Sequence, residues 1–166
     1  MTRERRAVVT SDGAGTYSAT TGTGRTLMFG DDAAANHHSP VEMVATALAA
    51  CTAMDVAAIL VKKRQVVASY SVEVDAVQRD EYPQVLTRIR LLHDVAGPEV
   101  TEAAVRRAIE LSATRYCPVN AMLSAGATEI QHAYRIRGTG EVPFEVEGIV
   151  LVTGPFRRPD PIANPS

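Results

Sequence analysis

Residues 39–65 read "SPVEMVATALAACTAMDVAAILVKKRQ", and the interpretation of this stretch decides the fold. It opens as a helix should. Ser39 can cap the first free N–H groups, Pro40 suits the first helical position, and Glu42 lies in the first turn. It closes on Lys62, Lys63 and Arg64, whose charges complement the negative end of the helix dipole. A helix from Pro40 to about Lys63 would be about 36 Å long at 1.5 Å per residue. Its apolar stretch, residues 41–61, is nearly long enough to span a bilayer. It carries Glu42 and Asp55, however, and is rich in Ala rather than Leu or Ile, so it reads as a helix buried on most sides within a protein. One small sheet cannot cover so long and apolar a helix, which points to a second subunit.

The flanking sequence supplies the rest of the architecture. Upstream, "RAVVT", "TYSATT" and "RTLMF" alternate with glycine-bearing turns and predict a meander of two or three strands. "GDDAAANHH" is a polar loop. Downstream, "SYSVEVDAV" (residues 69–77) alternates apolar and polar positions, and "VLTRIRLLHDV" is its hairpin partner across "QRDEYP". Gly97 and Pro98 are expected to open a second helix over about 98–113, with one apolar face. A short helix follows Cys117 and ends near Gly126. "TEIQHAYRI" is a further strand, and another is expected near Ile149 before a flexible Pro-rich tail. The class is α+β with an antiparallel sheet. One domain is expected over residues 1–137, with 138–166 as a C-terminal extension.

Composition narrows the function. Hydrophobic residues at 46% and charged residues at 22% are those of a globular chain, not a disordered one. A net charge of −2 leaves no electrostatic footprint for nucleic acid. The basic start "MTRERR" has no apolar segment after it, so the expected compartment is the reducing cytoplasm. There, the chain's two cysteines, Cys51 and Cys117, are not a structural disulfide framework. Three readings stand: packed core thiols, a metal site drawing also on His37 or His38 despite the absence of CxxC or HxxxH spacing, or a redox pair. Cys117 precedes Pro118 and a helical run, which places it near a helix N-cap, where a thiolate is favoured. Cys51 lies mid-helix, and apolar burial would raise its pKa. Asp55, one turn on, is expected to pair with an arginine or cap a neighbouring element.

The helix of residues 39–65, followed by "AIELSATRYCPVNAML" (residues 108–123), resembles the OsmC/Ohr family of osmotically inducible and organic-hydroperoxide-resistance proteins, in particular their YhfA-like branch. The resemblance covers roughly residues 5–137. It implies an intertwined homodimer with packed central helices and two sites at the interface. It also implies that Cys51 is the peroxidatic and Cys117 the resolving cysteine of an organic hydroperoxide reductase. A lipoyl-type dithiol would reset the pair, with no metal or organic cofactor. The family's activating Glu directly follows the helix-starting Pro; here Val41 holds that place and Glu42 stands one residue later, turned by about 100°. Arg25, in "TGTGRTLMF", is the nearest match to the family's activating arginine.

Overall fold

The computed structural model describes residues 4–30, 37–153 and 158–159. Most of the Pro-rich tail, expected to be flexible, lies outside the described residues, as does most of the loop after Gly30. The chain divides into two compact units, residues 1–44 and 45–166, with the division falling inside the long helix.

The N-terminal unit is the expected meander. Strands β1 (Ala7–Ser11), β2 (Tyr17–Thr21) and β3 (Thr26–Phe29) pair antiparallel in sequence order. Gly13, Gly15 and Gly24 take positive φ in the two connections, the backbone region that glycine enters at least cost. After β3, the His38 N–H bonds back to the Met28 carbonyl at 2.9 Å and the chain enters α1 (Pro40–Lys62).

The second unit begins within α1. It contains β4 (Ser69–Gln78), β5 (Leu86–Gly97), α2 (Glu102–Leu111), α3 (Pro118–Ser124), β6 (Glu129–Gly138) and β7 (Phe144–Val150). A two-residue pairing of β8 (Val152–Thr153) with β9 (Arg158–Pro159) follows. The main sheet has the order β4-β5-β6-β7. The β4/β5 and β6/β7 pairs are antiparallel, the first as its reading as a hairpin across "QRDEYP" predicts. The central β5/β6 pair is parallel, so the sheet is mixed at its middle. The cause is the connection: a hairpin closes an antiparallel pair, whereas 97–129 is a helical crossover that carries the chain back to the end of the sheet where β5 began. The strand expected near Ile149 is β7, which forms the edge of this sheet.

Periodicity two in β5 and β6 sends Ile89, Leu91, His93 and Val95, with Ile130, His132, Tyr134 and Ile136, to one face. That face forms the core with Val56, Ile59 and Leu60 of α1 and Val105, Ala108 and Ile109 of α2. The other face of the sheet carries an exposed ion-pair group, Arg135 with Glu147 and Asp94, and Arg137 with Asp94. Such pairs contribute little stability.

Within one chain the long helix is covered along one side only, by way of Ala45, Leu48, Ala49, Thr52, Val56, Ile59 and Leu60, while Met54 and Val61 are each 74% exposed. It is long and apolar enough to cross a membrane by length and composition, but its inner side is committed to the core.

The second helix starts later than Gly97–Pro98 suggests. Strand β5 continues through Gly97, and Thr101 is the N-cap, its Oγ1 accepting from the Ala104 N–H at 3.3 Å. Gly97 is needed for close approach: a Cβ there would run into the Val66 carbonyl oxygen and the backbone of Val67. Gly97→Ala is therefore expected to cost about 1–3 kcal/mol in urea-induced unfolding, as overpacking does. Gly126→Ala, where a Cβ would meet only an ordinary contact at 3.6 Å, should change stability by less than about 1 kcal/mol.

Candidate functional site

The crossover carries Cys117 to the long helix. α2 does not end cleanly; it widens into a π-type turn, Ser112–Tyr116, closed by the Cys117 N–H bonding the Ser112 carbonyl five residues back at 2.9 Å. Cys117 then leaves helical geometry (φ −75°, ψ 104°) and serves as N-cap of α3, with Pro118 at the first helical position. Its Sγ accepts the Asn120 N–H at 3.3 Å and the hydroxyl of fully buried Thr52 at 3.7 Å. Cys117 is 3% exposed, and Cys51 is half-buried.

These turns bring Cys51 Sγ, Cys117 Sγ and a carboxylate oxygen of Asp55 within 4.8 Å of one another. Asp55 is one helical turn from Cys51, on the same side of α1. Among the described residues it pairs with no arginine; instead Ser112 Oγ donates to its Oδ2 at 3.1 Å, tying α1 to the π turn. Burial raises the Asp55 carboxyl above its ordinary range, partly offset by that Ser112 bond. Burial also pushes the Cys51 thiol up to about 12, with the neighbouring Cys117 and Asp55 adding to the shift and the Val119 backbone N–H opposing it. The direction matches that expected for an apolar mid-helix thiol. Asp55 also lines a groove of about 330 Å³ with Ile59, Lys62, Leu111 and Tyr116.

The other residues singled out in the sequence lie in the N-terminal unit. Arg25 is exposed in the β2–β3 turn, where its carbonyl accepts the Thr21 N–H at 2.9 Å. Glu42 is exposed in the first turn of α1. His37 and His38 follow the loop after β3, and neither belongs to the Cys51–Asp55–Cys117 cluster.

A buried polar chain behind Cys117 is not foreseen from the sequence. Tyr70 Oη lies 2.9 Å from His93 Nδ1, His93 Nε2 is 3.2 Å from His132 Nδ1, and His132 Nε2 is 3.1 Å from Asn120 Oδ1. Asn120 Nδ2 donates to the Ala113 carbonyl at 2.9 Å. This last bond fixes the direction of every other. Asn120 Oδ1 must accept, so His132 carries its proton on Nε2, His93 donates from Nε2, and the Tyr70 hydroxyl donates to His93 Nδ1. Both rings are neutral and every polar atom along the chain is satisfied. Asn120 is also the residue whose N–H holds Cys117, so the chain braces the N-cap. The signal was present in the strands: His93 in "RLLHDV" and His132 in "IQHAYRI" both occupy inward positions of an alternating pattern.

Known proteins share this fold and much of this sequence. The family model described as "OsmC-like protein" matches residues 30–133. The chain is 36% identical over 121 residues to Protein YhfA of Escherichia coli (strain K12), spanning 73% of this chain and 90% of that protein. The crystal structure of an OsmC like protein from Mycoplasma pneumoniae superposes with a TM-score of 0.72 at 15% identity, covering 82% of this chain and 99% of that one. An organic hydroperoxide resistance protein from Elizabethkingia anophelis gives 0.64 at 13% identity, covering 84% and 99%.

The histidine chain makes stability depend on pH. Burial lowers the pKa of both His93 and His132 in the folded state. The unfolded chain therefore binds more protons below about pH 6.5, and the stability that is full above that value is lost as pH falls through it. Each histidine should remove about 1.4 kcal/mol between pH 7.5 and 5.5. Urea titrations at the two pH values should show a loss of about 2.7 kcal/mol from the pair, halved in His132→Gln.

The match over most of the chain, on the fold just described, places this protein in the OsmC-like family.

Proposed function

We propose that the chain reduces organic hydroperoxides through Cys51 and Cys117, as part of a defence against oxidative stress. The observation that carries this reading is the approach of the two thiols to within 4.8 Å from segments far apart in sequence. A disulfide needs an S–S distance of about 2.05 Å, so modest movement of the α3 N-cap would close it. The names of structural relatives, among them an organic hydroperoxide resistance protein, supply the substrate class.

In the proposed cycle the Cys51 thiolate attacks the outer peroxide oxygen. The O–O bond breaks, the alcohol leaves with a proton, and Cys51 becomes a sulfenic acid. The Cys117 thiol then attacks the sulfenic sulfur, releasing water and forming the disulfide. A lipoyl-type dithiol reduces it by exchange and is itself oxidised to a cyclic disulfide. A thiol held near 12 needs a cation to react at neutral pH, and Arg25 oriented by Glu42 is the proposed source. The apolar outer side of α1, with Met54 and Val61, is the proposed seat of a second copy in a homodimer. The proposed compartment is the cytoplasm, where a dithiol reductant is at hand.

The high Cys51 pKa also favours a second reading, a non-catalytic redox sensor or small apolar ligand binder of the same fold. Peroxide consumption with cumene or tert-butyl hydroperoxide and a dithiol separates the two. The peroxidase reading expects turnover that falls to background in Cys51→Ser. It also expects a single oxidation event, trapped as a sulfenic acid, in Cys117→Ser. Arg25→Met should lower kcat/KM by about a hundredfold, the cost typical of losing one stabilising donor. One oxidation equivalent per chain without turnover would favour the sensor.

A further inference from the structure

We propose that the reduced chain binds one zinc ion, or a divalent cation of the same borderline-soft class, through Cys51 Sγ, Cys117 Sγ and a carboxylate oxygen of Asp55. Three donor atoms, one from each residue, already lie within 4.8 Å of one another. Zinc bound at about 2.3 Å to sulfur and about 2.0–2.2 Å to oxygen in a tetrahedron sets its ligand atoms about 3.5–3.8 Å apart. The site therefore needs to contract by at most about 1.3 Å to reach that geometry. Cys51 and Asp55 stand four residues apart on one helix, the spacing that presents two ligands to one ion. Cys117 comes to them from a separate segment, at the N-cap of α3.

The groups behind the donors fit the same assignment. Ser112 Oγ holds Asp55 Oδ2, which leaves the other carboxylate oxygen for a metal. The Asn120 N–H and the Thr52 hydroxyl both point at Cys117 Sγ, as hydrogen-bond donors around metal-bound thiolates do. Asn120 is in turn fixed by Ala113 and His132. Two sulfurs and one oxygen select zinc-like ions over magnesium or calcium, which take oxygen ligands. Cys51 is only half-buried, and Asp55 lines a groove of about 330 Å³ that reaches Tyr116 and Lys62, so two of the three donors meet solvent. A solvent molecule supplies the fourth ligand, giving three protein ligands and one exchangeable position. An occupied site and a Cys51–Cys117 disulfide are mutually exclusive, since the disulfide consumes both thiolates. Metal occupancy thus keeps the pair reduced and withholds it from peroxide.

The full-length chain, reduced with a phosphine and freed of metal by chelation, is titrated with Co²⁺ as a spectroscopic probe and then with Zn²⁺ in competition. One equivalent of cobalt should produce a thiolate-to-metal charge-transfer band with the intense visible bands of tetrahedral coordination, and zinc should displace it. Cys51→Ser and Cys117→Ser should each weaken binding at least about a hundredfold, and Asp55→Asn at least about tenfold with the charge-transfer band retained. Serine at 117 retains an N-cap acceptor, so far-UV circular dichroism should show these chains folded. A folded, reduced wild type without the charge-transfer band at stoichiometric cobalt would overturn the proposal. So would Asp55→Asn binding as tightly as wild type. Peroxide turnover is read separately on chelated protein, so neither result depends on the other.

Discussion

Two strands that run the same way cannot be joined by a tight turn, and the second unit is organised around that constraint. β5 and β6 lie side by side and parallel, so the chain must climb off the sheet after Gly97 and return to the far end before Glu129. α2, the π turn and α3 are that return path. Their apolar sides close the core over the sheet, with Val105, Ala108, Ile109 and Ala113 meeting Val56, Ile59 and Leu60 of α1. The same path delivers Cys117 to the flank of α1 that carries Cys51. Covering a sheet face and assembling the thiol pair are one structural event.

The electrostatics of that event are set by exclusion of water. The interior behind the pair contains two histidines, a tyrosine and an asparagine, yet it carries no charge along this chain of bonds. A single donated bond, from Asn120 to the Ala113 carbonyl, sets the tautomer of both rings. The front of the site is the opposite case. Cys51, Cys117 and Asp55 are all acids, and burial penalises the charged forms of Cys51 and Asp55. A site built this way holds its groups in their charged forms only when something positive enters it, whether a guanidinium or a metal ion.

Local signals in the sequence located most elements. Ser39-Pro40 and the Lys-Lys-Arg close of α1 bound a real helix, and the alternation in "SYSVEVDAV" and "RIRLLHDV" gives β4 a half-buried face and β5 a buried one. Cys117 stands at an N-cap, as Cys-Pro before a helical run suggests. What stayed hidden is non-local. The parallel β5/β6 pairing leaves no local trace, because each strand's alternation is the same in either direction. Gly97-Pro98 reads as a helix start, whereas tertiary crowding by Val66 keeps Gly97 in the strand and hands the cap to Thr101. The partner of Asp55 proved to be Ser112 on the crossover, and the histidine chain needed three strands in register before it existed.

The π turn has a meaning in terms of chain length. A π turn is an α-helical turn with one residue more, and one residue on a helix is about 100° of rotation. Ser112 to Tyr116 therefore acts as a phase shifter between α2, whose rotation is fixed by the core, and Cys117, whose direction must match α1. Deleting one residue there would leave both helices intact in composition and swing the thiol off its target by a quarter of a turn or more. The partnership of the two cysteines is thus written in the count of residues between Ser112 and Cys117 as much as in their identity.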